Sequence, residues 1–356
     1  MTTAPICDLA VVGAGFAGLA CARRAAERGL SVLVLDRKRE AGERIHTTGI
    51  LVKEAWEEWA VPDDLVRKVG RVRIHTPSHR SVELKRSDYF FLATDTAGLL
   101  RHLADETRSA GAEVRFGVRY SGATRAGTGL ALEEAGVSCR FLVGADGARS
   151  RVASSLGLDR NERLLKGVEW EFEPLDDVGD CLHCFIDPEC APGYIGWVVP
   201  GVGITQVGLA VHRKARADMQ RFVARLDPLF GLSGRPVLDK RGGVIPIGGL
   251  LRRFHTDRAL LIGDAAGMVS PLTAGGIHNA YRYGRIAADA IADHLDAGGP
   301  HPGPVVRRAY PGHRWKHAAR WSYDRLPVAR ALEAGLLTRG LFRKVAGKVF
   351  FDRFVV

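Results

Sequence analysis

The chain has 356 residues, 46% hydrophobic and 26% charged, which leaves room for about two domains around a large core and excludes a disordered or collagen-like chain. Its 51 Lys and Arg against 40 Asp and Glu give a net charge of +11, and residues 301–356, with 12 basic and 3 acidic residues, carry +9 of it. A localised excess attracts anionic partners whereas a diffuse one mainly keeps a protein soluble, so the tail raises nucleic acid, an anionic substrate or a membrane surface as partners.

No apolar run of about 20 residues is present to span a bilayer, and the segment from Met1 to Pro5 lacks the regions of a secretory signal. The chain reads as cytoplasmic, with peripheral membrane attachment as an option. Six cysteines are too sparse for a disulfide scaffold. Cys181, Cys184 and Cys190 cluster around His183, but this strand-like stretch does not supply four zinc ligands at familiar spacing, so no metal is expected.

In chain order, Asp8 to Val12 is a short apolar strand, Phe16 to Arg28 an Ala-rich helix ended by Gly29, and Ser31 to Leu35 a second buried strand. Strand, helix, strand in about 30 residues opens a doubly wound α/β domain. Short alternating strands follow between residues 71 and 92, then a helix from Thr96 to about Ala110. Residues 165–244 read as strands with turns and one helix near Ala217 to Leu226. A strand returns at Ala259 to Ile262, and a helix runs from Gly276 to Leu295. Beyond Gly298-Gly299-Pro300, helices are interrupted by Pro311 and Pro327.

This order predicts an α/β fold: a discontinuous Rossmann-like cofactor-binding domain, which the resemblance given below makes an FAD-binding domain, with an inserted β-sheet substrate domain and a C-terminal helical region. The expected boundaries are 1–70, 93–160 and 250–300 for the cofactor domain, 71–92 and 161–249 for the substrate domain, and 301–356 for the C-terminal helices.

Gly13-Ala14-Gly15-Phe16-Ala17-Gly18 lies between the first strand and its helix, the context that a dinucleotide fingerprint requires. Gly13 permits the tight turn, Gly15 admits a pyrophosphate to the backbone, and Gly18 allows close packing of helix on strand. The helix start at Phe16 and Ala17 offers amides and partial positive charge to the phosphates. Asp36, at the end of the second strand, is placed for the adenosine ribose hydroxyls, with Arg37 assigned to the same site. A second glycine pair, Gly127-Thr128-Gly129, has no helix and third glycine after it. The fingerprint by itself does not choose between NAD and FAD.

Two further segments bear on that choice. Leu142-Val143-Gly144-Ala145-Asp146-Gly147-Ala148-Arg149-Ser150 resembles the Asp-Gly motif of flavin-dependent aromatic hydroxylases and their relatives, and Leu261-Ile262-Gly263-Asp264-Ala265-Ala266-Gly267 resembles their Gly-Asp motif. The resemblance implies FAD, with Asp146 at the cofactor and Gly263 and Asp264 reaching the ribityl hydroxyls. Gly275, Gly276 and Ile277 then open a helix whose N-terminus, in those flavoproteins, faces the pyrimidine end of the flavin and stabilises the reduced anion by about 1 kcal/mol. Arg44, in Gly42-Glu43-Arg44-Ile45-His46-Thr47-Thr48-Gly49-Ile50, resembles the segment that brings an Arg beside the flavin. Two positions depart from the hydroxylase pattern: His278 precedes Asn279 where those enzymes place Asn, and Thr96 stands where relatives often carry a flavin-contacting Arg.

Tyr194-Ile195-Gly196-Trp197-Val198-Val199-Pro200, with Val207-Gly208 downstream, resembles the Tyr-x-x-Trp-x-x-Pro segment of geranylgeranyl reductases, as does Ser270-Pro271-Leu272-Thr273-Ala274-Gly275-Gly276-Ile277. The likeness implies an FAD-dependent reductase that saturates a carbon–carbon double bond of an isoprenoid or other apolar substrate by hydride transfer from flavin N5. Thr48, Tyr194, Trp197 and Pro200 are then the substrate-binding candidates. Many of these reductases carry Cys-Gly-Gly where this chain has Thr47-Thr48-Gly49, so the proton donor is left among His46, a threonine hydroxyl acting through water, and solvent; no catalytic residue is assigned.

The alternative is an FAD-dependent monooxygenase, hydroxylase or epoxidase, acting on an aromatic or polyketide-like substrate. A non-enzymatic reading, in which Trp315, Trp321 and the basic tail bind nucleic acid, is disfavoured by the intact fingerprint. No second Rossmann unit is present for a nicotinamide, so the expected reductant is NAD(P)H docking transiently or a small electron carrier. In the tail, Leu341, Phe342, Val345, Val349, Phe350 and Phe354 fall near helical spacing with Arg343, Lys344, Lys348 and Arg353 interleaved. That pattern suits a helix lying on an anionic membrane surface or one packing its apolar face on the FAD domain.

Overall fold

The computed structural model describes residues 6–335 and 340–351, which form two compact units. The first takes the described residues of Met1–Arg44, Ala97–Arg163 and Pro246–His313. Its centre is five parallel strands in the order Glu113–Phe116, Val32–Asp36, Ile6–Val12, Val137–Gly144 and Ala259–Leu261. Leu9 to Val12, Val32 to Leu35 and Phe141 to Val143 are buried, as strands covered on both faces must be. Gly127-Thr128 turns out to be the tip of an antiparallel hairpin between Thr124–Ala126 and Gly129–Leu132, with Gly127 at φ 55°.

Two helices cover this sheet together. The first, Phe16–Glu27, packs along the long helix Ile277–Ala297, and a Cβ on Gly284 would lie 2.6 Å from the Ala17 carbonyl oxygen, so only glycine admits this approach. Their far ends are tied by Arg24 and Arg28 to Asp289 at 2.8 and 2.9 Å. The helix Pro302–Ala309 also belongs to this unit: Gly303 sits against the His255 ring, and Tyr283 meets Tyr310 edge-on at 5.0 Å.

The second unit takes the described residues of Ile45–Thr96, Leu164–Ile245 and Arg314–Val356. Its seven-stranded sheet runs Asp239–Pro246, Leu164–Phe172, Thr205–His212, Gly196–Pro200, Cys181–Phe185, Arg71–His75, Ser81–Lys85. The helix Met219–Phe230 presses Phe222, Leu226 and Phe230 onto Phe172, Phe185, Val198, Val207 and Leu209 on one face. Residues 45–70 and 93–96 lie in this unit, because Ile50–Val52 and Val66–Val69 both pair with Phe91–Thr94 in a small second sheet. Residues 301–351 divide between the units at His313, so the C-terminal helices do not stand as a third body.

Cys181 and Cys184 are strand residues, and burial pushes the Cys181 thiol up to about 11. His183 is stacked on His75 with their ring nitrogens 3.0 Å apart, and its other nitrogen lies 3.2 Å from the Val178 carbonyl oxygen. Among the described residues no group of three His, Cys, Asp or Glu is placed to hold a metal.

The tail helix Gly340–Phe351 lies on the second unit rather than on the cofactor domain. Ala346 and Phe351 are buried with Val72, Leu84, Tyr89 and Phe91, and Phe342 and Phe350 pack beside them, whereas Arg343, Lys344, Val345 and Lys348 are exposed. Residues 342, 346 and 350 are spaced by four and so share one helix face. Val345 falls off that face, and Arg353 and Phe354 lie outside the described residues. No described helix is long and apolar enough to cross a membrane.

Candidate cofactor and substrate sites

In the first unit the parallel strands end on one edge, where ligands of doubly wound sheets bind. Val12, Asp36, Gly144 and Leu261 close four neighbouring strands, and the loops that follow carry the fingerprint, Asp146 and Asp264. Gly13 has φ 110°, and a Cβ there would stand 2.4 Å from the Ala145 carbonyl oxygen; a Cβ on Gly18 would stand 1.8 Å from the Gly13 carbonyl oxygen. A Cβ on Gly15 would meet nothing within 4 Å. The turn is thus closed on the protein side and open at Gly15, and the helix start at Gly15 has no side-chain cap and no acidic residue in its first turn. Phe16 and Ala17 are buried by their side chains, which leaves their main chain as what they can offer a ligand.

Asp36 accepts from the Ala14 amide at 2.7 Å and from the Lys38 amide at 2.8 Å, which fixes the carboxylate while leaving lone pairs for hydroxyls. Arg37 is exposed. Arg44 is exposed at the left-handed φ of 48°, 3.6 Å from the Glu43 carboxylate. Asp146 is occupied differently: its oxygens accept from Ser150 Oγ at 2.6 Å, the Arg151 amide at 2.6 Å and the Val152 amide at 3.1 Å. These bonds pin the start of the short helix Arg151–Ser155.

Gly263 lies against Ala17, where a Cβ would come within 2.8 Å of the alanine Cβ, and this carries the following Asp264 toward the first helix. The Asp264 carboxylate finds no hydrogen bond among the described residues, and loss of hydration pushes it up to about 6. Gly275, Gly276 and Ile277 close the loop before the long helix, whose start has Gly276 in place of a side-chain cap. That loop is folded on Ser270, whose hydroxyl accepts from Thr273 Oγ1 at 2.9 Å. Buried Asn279 has its Nδ2 without a partner among the described residues. An open glycine cradle, a carboxylate without donors and an amide without an acceptor fit FAD, which carries the phosphates, hydroxyls and ring heteroatoms to meet them.

A carboxyl whose pKa rises on folding through loss of hydration makes folding prefer its protonated form. FAD-free protein should therefore lose stability as pH rises from about 4 to 6, by roughly 2 kcal/mol. Asp264→Asn should flatten that dependence, as urea midpoints at pH 4 and pH 7 would show.

In the second unit, the sheet face away from the helix Met219–Phe230 carries a polar row. Trp197, Gly208 and Glu169 are register partners on three adjacent strands. A Cβ on Gly208 would lie 2.5 Å from the Trp197 ring, so the indole lies across this glycine and donates to Glu169 Oε2 at 2.8 Å. Thr48 Oγ1 donates to the same oxygen at 2.6 Å, and Gln206 Nε2 donates to Glu169 Oε1 at 3.2 Å and to the Thr48 carbonyl oxygen at 2.9 Å. Burial holds the Glu169 carboxyl above the usual range, against the opposing pull of these bonds and of the Arg241 charge. Arg241 itself forms an ion pair with Glu171, 2.5 Å apart.

Residues 46–49 are strapped over this row. His46 Nδ1 is 2.7 Å from the Gly242 carbonyl oxygen, and the Gly49 carbonyl oxygen accepts from Thr94 Oγ1 at 2.9 Å. A Cβ on Gly49 would stand 1.9 Å from Thr96 Oγ1. Thr48 and Trp197 are therefore brought together through Glu169. Tyr194 is placed elsewhere, with Arg320 over its ring at 5.8 Å and its carbonyl oxygen accepting from Tyr323 at 2.6 Å. Pro200 ends its strand at the turn closed by the Gly201 amide on Ile204. Glu169 and Gln206 are the residues that motif reading missed, because Lys166, Glu171, Thr205 and His212 on the same two strands leave no local signal that singles them out.

Residues 6–299 match the family model described as FAD binding domain. Digeranylgeranylglycerophospholipid reductase 2 of Methanopyrus kandleri is 31% identical over 321 residues, covering 81% of this chain and 78% of that protein. Among solved structures, a geranylgeranyl bacteriochlorophyll reductase-like protein from Thermoplasma acidophilum superposes with a TM-score of 0.84 at 20% identity, over 99% of this chain and 98% of that one. The p-nitrophenol 4-monooxygenase of Pseudomonas putida DLL-E4 superposes with a TM-score of 0.75 at 16% identity, over 98% of each chain, which shows a shared fold. With the glycine cradle, the two ordered flavin motifs and these likenesses together, the chain belongs to the FAD binding domain family, as an FAD-dependent oxidoreductase related to the digeranylgeranylglycerophospholipid reductases.

Proposed function

We propose that this enzyme saturates carbon–carbon double bonds in the prenyl chains of a glycerophospholipid or a similar isoprenoid. The observation that carries the reading is the 31% identity to a protein named for that reaction across about four fifths of both chains. Gly13, Gly15, Phe16, Ala17 and Gly18 would hold the FAD pyrophosphate, Asp36 and Arg37 the adenosine end, Asp264 the ribityl hydroxyls, and Gly275, Gly276 and Ile277 the flavin ring. Arg44 would stand beside the flavin. Asp146 would shape the site through the helix it caps.

Reduced FAD, when bound, supplies the hydride, drawn in turn from NAD(P)H or a small electron carrier. The protein's part is orientation and exclusion of water. Trp197, flat across Gly208, offers an apolar wall with Thr48 beside it, whereas Tyr194 is taken up by Arg320 and Tyr323 and Pro200 by its turn. The exposed Arg343, Lys344 and Lys348 suit an anionic leaflet, from which a prenyl lipid would enter. Because the apolar face of their helix is covered, charge rather than insertion would hold the protein there, and nucleic acid is not the expected partner.

The test is anaerobic turnover of the dithionite-reduced holoenzyme with digeranylgeranyl glycerophospholipid in detergent. Flavin reoxidation with product heavier by two hydrogens per double bond is expected. Product carrying oxygen from O2, with stoichiometric oxygen uptake in air, would overturn the reading in favour of a monooxygenase.

A further inference from the structure

In the second unit, the helix Arg314–Arg325 is turned inside out. At about 100° per residue, Lys316, Arg320 and Tyr323 share one side, while Arg314, Trp315, Ala318, Trp321 and Arg325 lie on the other. Lys316 and Arg320 are 0% and 1% exposed, whereas Trp315 and Trp321 are 41% and 56% exposed. The inward side is fixed by its contacts: Arg320 donates to the Gly193 carbonyl oxygen, pairs with Asp324 at 2.8 Å, and lies over the rings of Tyr194 and Tyr323 at 5.8 and 5.6 Å. Lys316 Nζ has no hydrogen-bond partner among the described residues. Burying an unpaired ammonium is costly, and leaving two indoles in water forgoes their burial as well. Half a turn of the helix would relieve both. Local rules are broken in this way where a surface has a use.

The surroundings of this side are apolar and basic together. Of the five large apolar side chains exposed among the described residues, four, Trp315, Trp321, Leu326 and Val345, lie in this C-terminal segment. Arg314, Arg325, Arg330, Arg343, Lys344 and Lys348 are exposed in it as well, and no acidic residue among the described residues of 314–351 is exposed. We propose that the outward side of Arg314–Arg325 seats the protein in the headgroup layer of an anionic membrane, with Trp315 and Trp321 entering the boundary between headgroups and acyl chains. This rests on the leaflet named above as a partner, and not on the reaction carried out there.

Charge and side-chain chemistry select lipid over protein. An indole joins an apolar body to an N–H that wants a polar partner, which suits it to the headgroup level of a bilayer. The Arg325 guanidinium lies 4.5 Å over the Trp321 ring, so its stem can stay with the indole while its head meets lipid phosphates. A second copy of this chain would bring the same six exposed cations to the interface, and like charges oppose that pairing. The tail helix Gly340–Phe351 contributes charge only, its apolar face being covered. Its attraction acts within about 10 Å of the surface and delivers the indoles, which take hold on contact, so each contribution needs the other.

The test mixes the holoenzyme with phosphatidylglycerol vesicles whose acyl chains are brominated near the headgroup, because bromine quenches only the indoles it touches. Tryptophan fluorescence of the wild type should be quenched, and that quenching should be lost from the double variant Trp315→Ala, Trp321→Ala. Vesicle affinity of this variant should fall roughly 10²-fold, at about tenfold per indole. Trp315→Phe with Trp321→Phe should keep most of the affinity while losing the quenching. Both side chains are exposed, so urea midpoints equal to that of the wild type are expected for both variants and show that the fold is intact. A wild type that binds the vesicles without quenching, or a double alanine variant that binds them equally well, overturns the insertion and leaves the charge-held leaflet reading standing. A wild type that ignores the vesicles overturns both. A wild type that sediments as a dimer without vesicles, and that the double alanine variant disperses, assigns this face to a second copy and overturns the proposal.

Discussion

Replacing Gly15 by alanine is expected to leave the apoprotein as stable as the wild type, within about 0.5 kcal/mol, while lowering FAD affinity tenfold or more, a loss of at least about 1.4 kcal/mol. Gly15 has φ −91°, which alanine adopts freely, and its Cβ would point into open space. If a pyrophosphate fills that space, the added methyl group stands where phosphate oxygens approach the amides. Gly18→Ala should behave differently, because its Cβ would lie 1.8 Å from the Gly13 carbonyl oxygen and the helix must shift to accommodate it. Overpacking of this kind costs about 1–3 kcal/mol or more, so both stability and FAD should be lost. Urea unfolding of FAD-stripped proteins separates the two effects, since bound FAD would itself add stability by mass action. A Gly15→Ala protein that retains full FAD affinity would show that the pyrophosphate does not lie over this glycine.

Phe351→Ala is expected to destabilise the protein by about 3 kcal/mol, although it changes a residue near the chain end. The ring is 4% exposed and meets Tyr89 edge-on at 5.6 Å, and the Phe351 carbonyl oxygen accepts from Arg86 at 2.8 Å. Removing the ring leaves a hole beside Tyr89 and Phe91. Changing Arg343, Lys344 and Lys348 to Glu should alter stability by less than about 0.5 kcal/mol, because these side chains are exposed. The same change should abolish sedimentation with phosphatidylglycerol vesicles, each basic residue near an anionic surface contributing about 1 kcal/mol. Equal vesicle binding by this variant and the wild type would count against the leaflet as a partner.

The parallel sheet was legible because its strands are buried on both faces and read as continuous apolar runs, and the fingerprint because its glycines recur at fixed spacing between a strand and a helix, although Gly13 itself closes on the distant Ala145. Other features depended on residues far apart in sequence. Ile50–Val52 joined the second unit because its partner is Phe91–Thr94, which no local pattern announces. The Asp-Gly motif falls in the loop after Val137–Gly144, and what no local pattern announced is that the Asp146 carboxylate caps a five-residue helix too short to show periodicity. The +9 tail resembled a uniform basic surface, yet Lys316 and Arg320 are buried. Burial lowers Lys316 to about 8, and Arg320 pairs with Asp324 at 2.8 Å, so the charge available to a partner is smaller than the count.

The row of Trp197, Gly208 and Glu169 has a consequence for heredity as much as for chemistry. Each residue is acceptable only in the presence of the others: the indole needs a neighbour without a side chain, the carboxyl needs the indole and the threonine, and the strap needs Gly49. Three strands and a loop must therefore change together or not at all. Substitutions here should be strongly non-additive, with double changes costing less than the sum of the single ones. The aromatic segment is thus not a portable cassette; grafted alone onto another flavoprotein of this fold, it would bring the ring without the seat.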